Sequence, residues 1–240
     1  MTSSPLQAVL RLQDLDTSLD QHHHRRATLP ERQALVAVDQ ARQALIRSGA
    51  EVSARRDEVA ARQDALEEEF NATQARITDI NRRLYGGMVS ATRDLQAMAA
   101  EVEHLQTRAS DLEDRVIEVM EQREPLDAEV AELDRRGEQV LEERAEIVSR
   151  LAASEAEVDA EIGGLVERRT DAAASVPPEL LQTYEGLRAR LDGVGAARLI
   201  GSTCAGCHLM LPATELDQIK RSSADAVVFC GQCGRILVRP

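Results

Sequence analysis

From Val38 onward, apolar residues recur along this chain at alternating steps of three and four. One series runs Val38, Leu45, Val52, Val59, Leu66, Thr73, Ile80, with Arg42, Gly49, Arg56, Gln63, Phe70, Ile77 and Leu84 four positions on. A second stretch repeats the pattern through Leu95, Val102, Ala109, Val116, Arg123, Val130, Gly137, Arg144, Leu151, Val158 and Leu165. Its companion series is Met98, Leu105, Leu112, Val119, Leu126, Leu133, Val140 and Ile147. Such spacing places one apolar seam along each of two long helices, as in a coiled coil. Between them lies Leu84-Tyr85-Gly86-Gly87-Met88-Val89-Ser90, where paired glycines break a helix and Ser90 is suited to cap the next.

The two seams interlock if the arms fold back antiparallel, because facing residues then have numbers with a constant sum, here 175. Ile80 meets Leu95, Ile77 meets Met98, Phe70 meets Leu105, Val59 meets Val116 and Leu45 meets Val130. The polar seam members face apolar ones, and the stems of Arg56 and Arg123 can cover the seam while the guanidinium reaches water. The midpoint falls between Gly87 and Met88, inside the turn found independently. Arms of about 85 residues at ~1.5 Å each reach roughly 125 Å, the dimension of a rod. Thr28-Leu29-Pro30-Glu31 reads as a capping box with proline in the first turn, so the first arm should break and restart there. Pro125 beside Gly49 predicts a kink in mid-arm.

The pattern stops at Ala172-Ala173-Ala174-Ser175-Val176-Pro177-Pro178, which divides the chain into a hairpin domain, 1–175 with its turn near 85–90, and a second domain, 176–240. A short helix over about 178–191 is followed by short strands near 197–200, 227–229 and 236–238. The expected fold class is mainly α: a long antiparallel two-helix coiled-coil hairpin plus a small C-terminal β domain.

All four cysteines fall in that second domain, as Cys204-Ala205-Gly206-Cys207 and Cys230-Gly231-Gln232-Cys233, with 22 residues between the pairs. Each pair can present two thiolates from one tight turn, and two pairs complete a tetrahedral zinc site. Gly206, Gly231 and Gly234 sit where such turns need backbone freedom. With four protein ligands the site is closed, so one structural Zn2+ is expected, and the domain is a zinc ribbon. Its few apolar residues make metal binding, on the order of 10–16 kcal/mol, the source of its folding energy. Two other chemistries fit worse. Cys204 to His208 matches the haem-attachment pattern, but that would leave Cys230 and Cys233 without a role. A redox pair needs one Cys-x-x-Cys on a βαβ scaffold, and none is present.

Composition narrows the class further. The 240 residues carry a formal charge of −13, two Tyr, two Phe and no Trp, which is the composition of long helices rather than of a ring-packed globule. Lys220 is the only lysine. Residues 1–175 hold 36 acids against 22 arginines, whereas 176–240 hold six acids against seven cations. An acidic hairpin argues against binding phosphate along its length. On the ribbon, Arg198, Lys220, Arg221, Arg235 and Arg239 are the candidate contacts for RNA or DNA. His22, His23 and His24 cannot share one helix face, since consecutive residues point about 100° apart, and read as a polar stretch. The carboxylates recur at coiled-coil flanks, and no phosphate loop or nucleophile–base pair stands out, so the chain reads as a non-enzyme. Without an apolar run of membrane-spanning length or an export signal, a cytoplasmic location and no membrane partner are expected.

Three stretches carry a family resemblance. They are Leu84-Tyr85-Gly86-Gly87-Met88-Val89 with Asp94-Leu95-Gln96-Ala97-Met98; Pro178-Glu179-Leu180-Leu181 with Tyr184 and Leu187; and the two cysteine pairs with Leu211-Pro212 and Gly234-Arg235-Ile236-Leu237. In these the chain resembles the bacterial helical-hairpin proteins with a C-terminal four-cysteine zinc ribbon. By position, Cys204, Cys207, Cys230 and Cys233 correspond to that family's zinc ligands. The resemblance implies an elongated hairpin, one zinc and no catalysis. Some flagellated members chaperone an alternative sigma factor and bind a flagellin message, and others associate with secretion components. This chain departs just after the turn, where Met88-Val89-Ser90-Ala91-Thr92 stands in place of the lysine and Asn-Pro of relatives. The expected function is a non-enzymatic, zinc-binding adaptor or chaperone that binds a cytoplasmic protein through its hairpin. The rival is a nucleic-acid-binding regulator acting through the ribbon. A homodimer is a further expected association.

Overall fold

The computed structural model describes residues 4–87, 91–223 and 225–239. Among these residues five helices and four short strands follow in the order α1 (Pro5–Ala27), α2 (Pro30–Tyr85), α3 (Thr92–Ala174), α4 (Pro178–Arg190), β1 (Ala196–Ile200), β2 (Thr203–Cys204), α5 (Ala213–Arg221), β3 (Val228–Phe229) and β4 (Ile236–Val238). The chain is mainly α, with a helical hairpin and a small C-terminal sheet, as expected. Residues 34–147 form one compact unit; residues 1–33 and 148–240 form the other.

In the 34–147 unit the seams meet as the heptads require. Ile77, Ile80, Val102 and Ala109 are buried together, with Phe70, Met98 and Leu105 packed against them. Leu66, Leu112 and Val119 form the next cluster, with Val59 and Val116 beside them. Buried Thr73 directs its hydroxyl to the Glu69 carbonyl at 2.9 Å, which satisfies the polar seam position. Arg56 and Arg123 lie half-buried and end on Asp57 and Asp127. Gly86 and Gly87 form the described part of the turn, with Gly87 at φ +72°. The turn midpoint at Met88 and the cap at Ser90 lie outside the described residues.

The constant sum of 175 does not hold along the whole unit. It fits the clusters nearest the turn, but farther along Arg144 Nε pairs with Asp39 Oδ1 at 2.7 Å, a sum of 183. Leu45 and Val130, a pair the sum gives, line one cleft, but Gly49 lines it with Leu133 and Gly137 as well. The intervening segment carries Arg42, Gly49, Arg56 and Gln63 on α2, and Pro125 and Gly137 on α3. Few interlocking apolar knobs are left there to pin the register. α3 itself runs through Pro125 as one helix.

The first arm does break where expected, with α1 ending at Ala27 and α2 starting at Pro30. The capping box does not form. Thr28 turns its hydroxyl back to the His24 carbonyl at 2.8 Å, closing α1, and Glu31 accepts a hydrogen bond from Ser154 at 3.1 Å.

The other unit is layered around the sheet, whose order is β2-β1-β4-β3, with β1 and β4 parallel and the outer pairs antiparallel. Side chains alternate across a strand, and here both faces are covered. Ala196, Ile236 and Val238 pack against Leu6, Val9, Leu10 and Leu12 of α1 and Leu180, Tyr184 and Leu187 of α4. On the opposite face Ala197, Leu199 and Leu237 pack with Cys204, Cys230, Leu211 and Ile219. The ribbon therefore borrows one layer of its core from α1 and α4, which precede and follow the two arms in sequence. Gln13 of α1 fastens this layer: its Oε1 accepts from the amides of Gly195 at 2.7 Å and Ala196 at 3.2 Å, and its Nε2 donates to the Gly193 carbonyl at 3.1 Å.

Candidate metal centre

The two knuckles are built alike. Cys204 and Cys207 bracket the turn after β2, and Cys230 and Cys233 the turn after β3. In each, the residue after the second cysteine donates its amide to the first cysteine's carbonyl, His208 to Cys204 and Gly234 to Cys230, both at 2.8 Å. Both residues sit in the left-handed region, His208 at φ 61° and Gly234 at φ 74°. The Cys-x-x-Cys-His match thus reflects a turn position rather than an axial ligand. Of the three glycines singled out for the turns, only Gly234 supplies that backbone shape. Gly206 supplies room: a Cβ there would lie 2.7 Å from Arg235 Cδ and 2.9 Å from Ala197 Cβ. Gly231 donates its amide to Glu215 of α5 at 2.9 Å, tying that helix to the second knuckle.

The four sulfurs lie within 4.8 Å of one another, with Cys204 and Cys233 at 3.9 Å and Cys207 and Cys230 also at 3.9 Å. A tetrahedron with Zn–S bonds of about 2.3 Å has edges of roughly 3.8 Å, so two edges match and the quartet is of the size that zinc takes. Cys204 and Cys230 are buried, and burial pushes both thiols up, Cys230 to about 12. Burial also acts to raise Cys233. Hydrogen bonds from the Arg235 backbone and side chain and from Cys230 and Cys207 outweigh it and bring that thiol down to about 7. With four thiolates and no position left for water or substrate, the centre holds the fold and offers no open coordination site. Among the described residues the quartet is the one group of three or more metal-type ligands. His22 instead bonds the Ser18 carbonyl at 2.7 Å and faces Glu161 at 3.3 Å.

The five candidate nucleic-acid contacts do not converge on a free basic surface. Arg198 pairs with Asp14 at 2.6 Å and Arg221 with Asp217 at 2.7 Å. Arg235 donates to the carbonyls of Val194 at 2.9 Å and Leu191 at 3.2 Å, bracing the loop into β1. Arg239 donates to the carbonyls of Ile219 at 2.8 Å and Ser222 at 3.2 Å, and to Ser223, closing the C-terminal end of α5. Lys220 alone is exposed and without a partner among the described residues.

A second polar centre in this unit was not legible beforehand. Asp16 of α1 is buried and receives the Tyr184 hydroxyl and Arg169 Nε, each at 2.6 Å, with Arg188 Nε at 3.5 Å. Burial, then the bond to Asp16, pushes the Tyr184 hydroxyl well above its ordinary range. Its members come from α1, α3 and α4, and no spacing along the chain links them.

A helical hairpin joined to a ribbon with a closed four-thiolate centre defines a class of zinc-clamped hairpin proteins. Residues 12–192 match the family model of the CT398-like coiled-coil hairpin domain, and residues 203–237 match that of the C4-type zinc ribbon domain. This chain belongs to the CT398-like hairpin family and carries one structural zinc on Cys204, Cys207, Cys230 and Cys233. Among its relatives, Rv2229c of Mycobacterium tuberculosis H37Rv is 31% identical over 232 residues, covering 97% of this chain and 94% of the relative. A solved structure from Mycobacterium smegmatis superposes with a TM-score of 0.90 at 27% identity, over 100% of both chains. CT398 from Chlamydia trachomatis shares the fold at a TM-score of 0.70, 18% identity and 98% coverage of both chains. HP0958 from Helicobacter pylori does so at 0.53 and 15% identity, over 98% of this chain and 97% of its own. Among the described residues no helix is long and apolar enough to cross a membrane.

Proposed function

We propose that this chain is a non-enzymatic adaptor or chaperone that binds a cytoplasmic protein partner through its coiled-coil hairpin, with the zinc ribbon in a structural role. The observation that carries this reading is the set of large apolar side chains left about half exposed on the arms, among them Val36, Ile46, Ile117, Met120 and Leu141. They interrupt a surface that is otherwise charged, and water gives such groups no reason to stay uncovered. The zinc centre is closed, which favours a structural over a catalytic role. Of the ribbon's arginines, Arg235 and Arg239 are engaged by backbone carbonyls and Arg198 and Arg221 face carboxylates at the surface, which favours a protein over a phosphate partner.

The test is mild crosslinking in cells, with protein and RNA quantified from one purification of wild type and of the Cys204→Ser/Cys230→Ser variant. A discrete protein partner at near-stoichiometric yield with little RNA is the expected result. RNA enriched on wild type and lost from the variant would replace this reading with that of a zinc-dependent nucleic-acid binder.

A further inference from the structure

Of the exposed large apolar residues of the 34–147 unit, Ile46, Ile117, Met120 and Leu141 line two clefts, while Val36 and Tyr85 lie apart from them. Met120, Asp127, Asp134 and Leu141 recur every seven residues and so run along one edge of α3. Ile46 and Ser53 of α2 line the same cleft as Asp134 and Leu141. One heptad away, Ile117 and Met120 line a second cleft with Gln63, Glu124 and Asp127. The two clefts, about 570 and 470 Å³, therefore follow each other along one flank of the seam. On the opposite flank the seam residues Leu45, Leu133 and Val140 are bordered by small and polar groups, Ala41, Ser48, Arg136, Gln139 and Glu143.

Charge is uneven between the two helices. Residues 111–143 of α3 hold thirteen acids against four arginines, while residues 34–85 of α2 hold nine against eight. On the apolar flank Glu121, Glu124, Asp134 and Glu138 are exposed, and none has a cationic partner among the described residues. A carboxylate beside an exposed apolar patch is solvated at little cost while the patch is open. Once the patch is covered, it is best covered by something that brings positive charge.

We propose that this flank, from Ile117 to Leu141 on α3 with Ile46 on α2, docks a basic amphipathic helix whose apolar stripe fills the two clefts and whose Lys or Arg side chains meet the four unpaired carboxylates. The span from Met120 to Leu141 is 21 residues of helix, ~32 Å at 1.5 Å per residue, the length of a partner helix of about six turns. This assignment rests on the adaptor reading and names the chemistry of its partner.

The probe is a 21-residue helical peptide with leucines at alternating three- and four-residue steps and lysines on both flanks, together with its twin carrying glutamate for lysine. Both are titrated by fluorescence anisotropy into the full zinc-loaded protein at 50 and 300 mM salt. The lysine peptide is expected to bind, more weakly at high salt, and the glutamate twin not to bind. Ile117→Ser/Met120→Ser and Glu124→Gln/Asp134→Asn/Glu138→Gln should each weaken it at least tenfold, with helicity and zinc content unchanged because every altered side chain is exposed. Arg136→Gln/Glu143→Gln on the other flank should leave it as it is. Equal binding of the twin, or indifference to both flank variants, overturns the proposal. So does concentration-dependent self-association abolished by Ile117→Ser/Met120→Ser, which would assign the flank to a second copy of this chain. A crosslinked cellular partner retained by the flank variants overturns this assignment and leaves the adaptor reading standing. Absence of any such partner from wild type overturns both.

Discussion

His208 holds a backbone shape that its counterpart in the other knuckle, Gly234, adopts without strain. A side chain in the left-handed region costs on the order of 1 kcal/mol, and part of that gain is offset by the extra freedom glycine has when unfolded. His208→Gly should therefore raise stability by roughly 0.5 kcal/mol, read as a higher urea midpoint of the zinc-loaded protein. Asp16 behaves in the opposite sense. Removing it leaves Tyr184 and Arg169 with buried donors unmatched, so Asp16→Ala should cost about 2–3 kcal/mol, measured by the same titration. Tyr184 adds a pH dependence. Its pKa is raised on folding, so its contribution is full below the unfolded value, about 10, and is lost as pH rises beyond it. Thermal midpoints compared at pH 8 and 11 should fall more steeply for wild type than for Tyr184→Phe. None of this was visible along the chain. Which arginine or tyrosine finds a buried partner depends on residues more than 150 positions away.

At the scale of elements, the heptads were legible because a buried seam constrains every third or fourth residue of a long helix. The cysteine pairs were legible because four sulfur ligands at short spacing admit few other uses. What the pattern could not give was the job of α1. Its buried set includes Leu6, Ala8, Val9, Leu10, Leu12, Gln13, Asp16 and Leu19. That stripe is wider than a two-helix seam requires, which is the one hint that it faces a sheet and a helix together. α5 went unrecognised because its nine residues bury only Ile219 and are held by Glu215 and Arg239. The constant-sum register failed where the seam is polar and glycine-bearing, since identity of period fixes pairing only when apolar knobs interlock. Strengthening the seam there offers a check: Gln63→Leu should raise stability by roughly 1 kcal/mol, seen in the urea midpoint.

On the scale of the whole molecule, the two units should respond differently to metal. Zinc requires four thiolates, so protonation competes with it. The cysteines' stabilising contribution is present at neutral pH and lost on acidification. Chelation or acid should release one zinc per chain, measured with a chromogenic chelator. Amide exchange should then quicken in β1, β4 and the α1 residues bonded to them, because Leu237 and Cys204 share one core and Leu6 and Ile236 the other. The amides of Leu66, Ile77, Val102 and Leu112, which belong to separate clusters, should keep their protection.

The core shared by α1 and the last strand also has a consequence in time. A ribosome makes Leu6, Val9 and Leu12 first and Ile236 and Val238 last, and at ~5–20 residues per second the interval is roughly 10–45 s. Throughout it the apolar face of α1 lacks the strand it packs against, so the nascent chain carries a partly uncovered greasy helix until β4 is made. Messages truncated before codon 236 would yield a product that never covers it, and such fragments should be caught by chaperones or degraded while the full-length chain escapes.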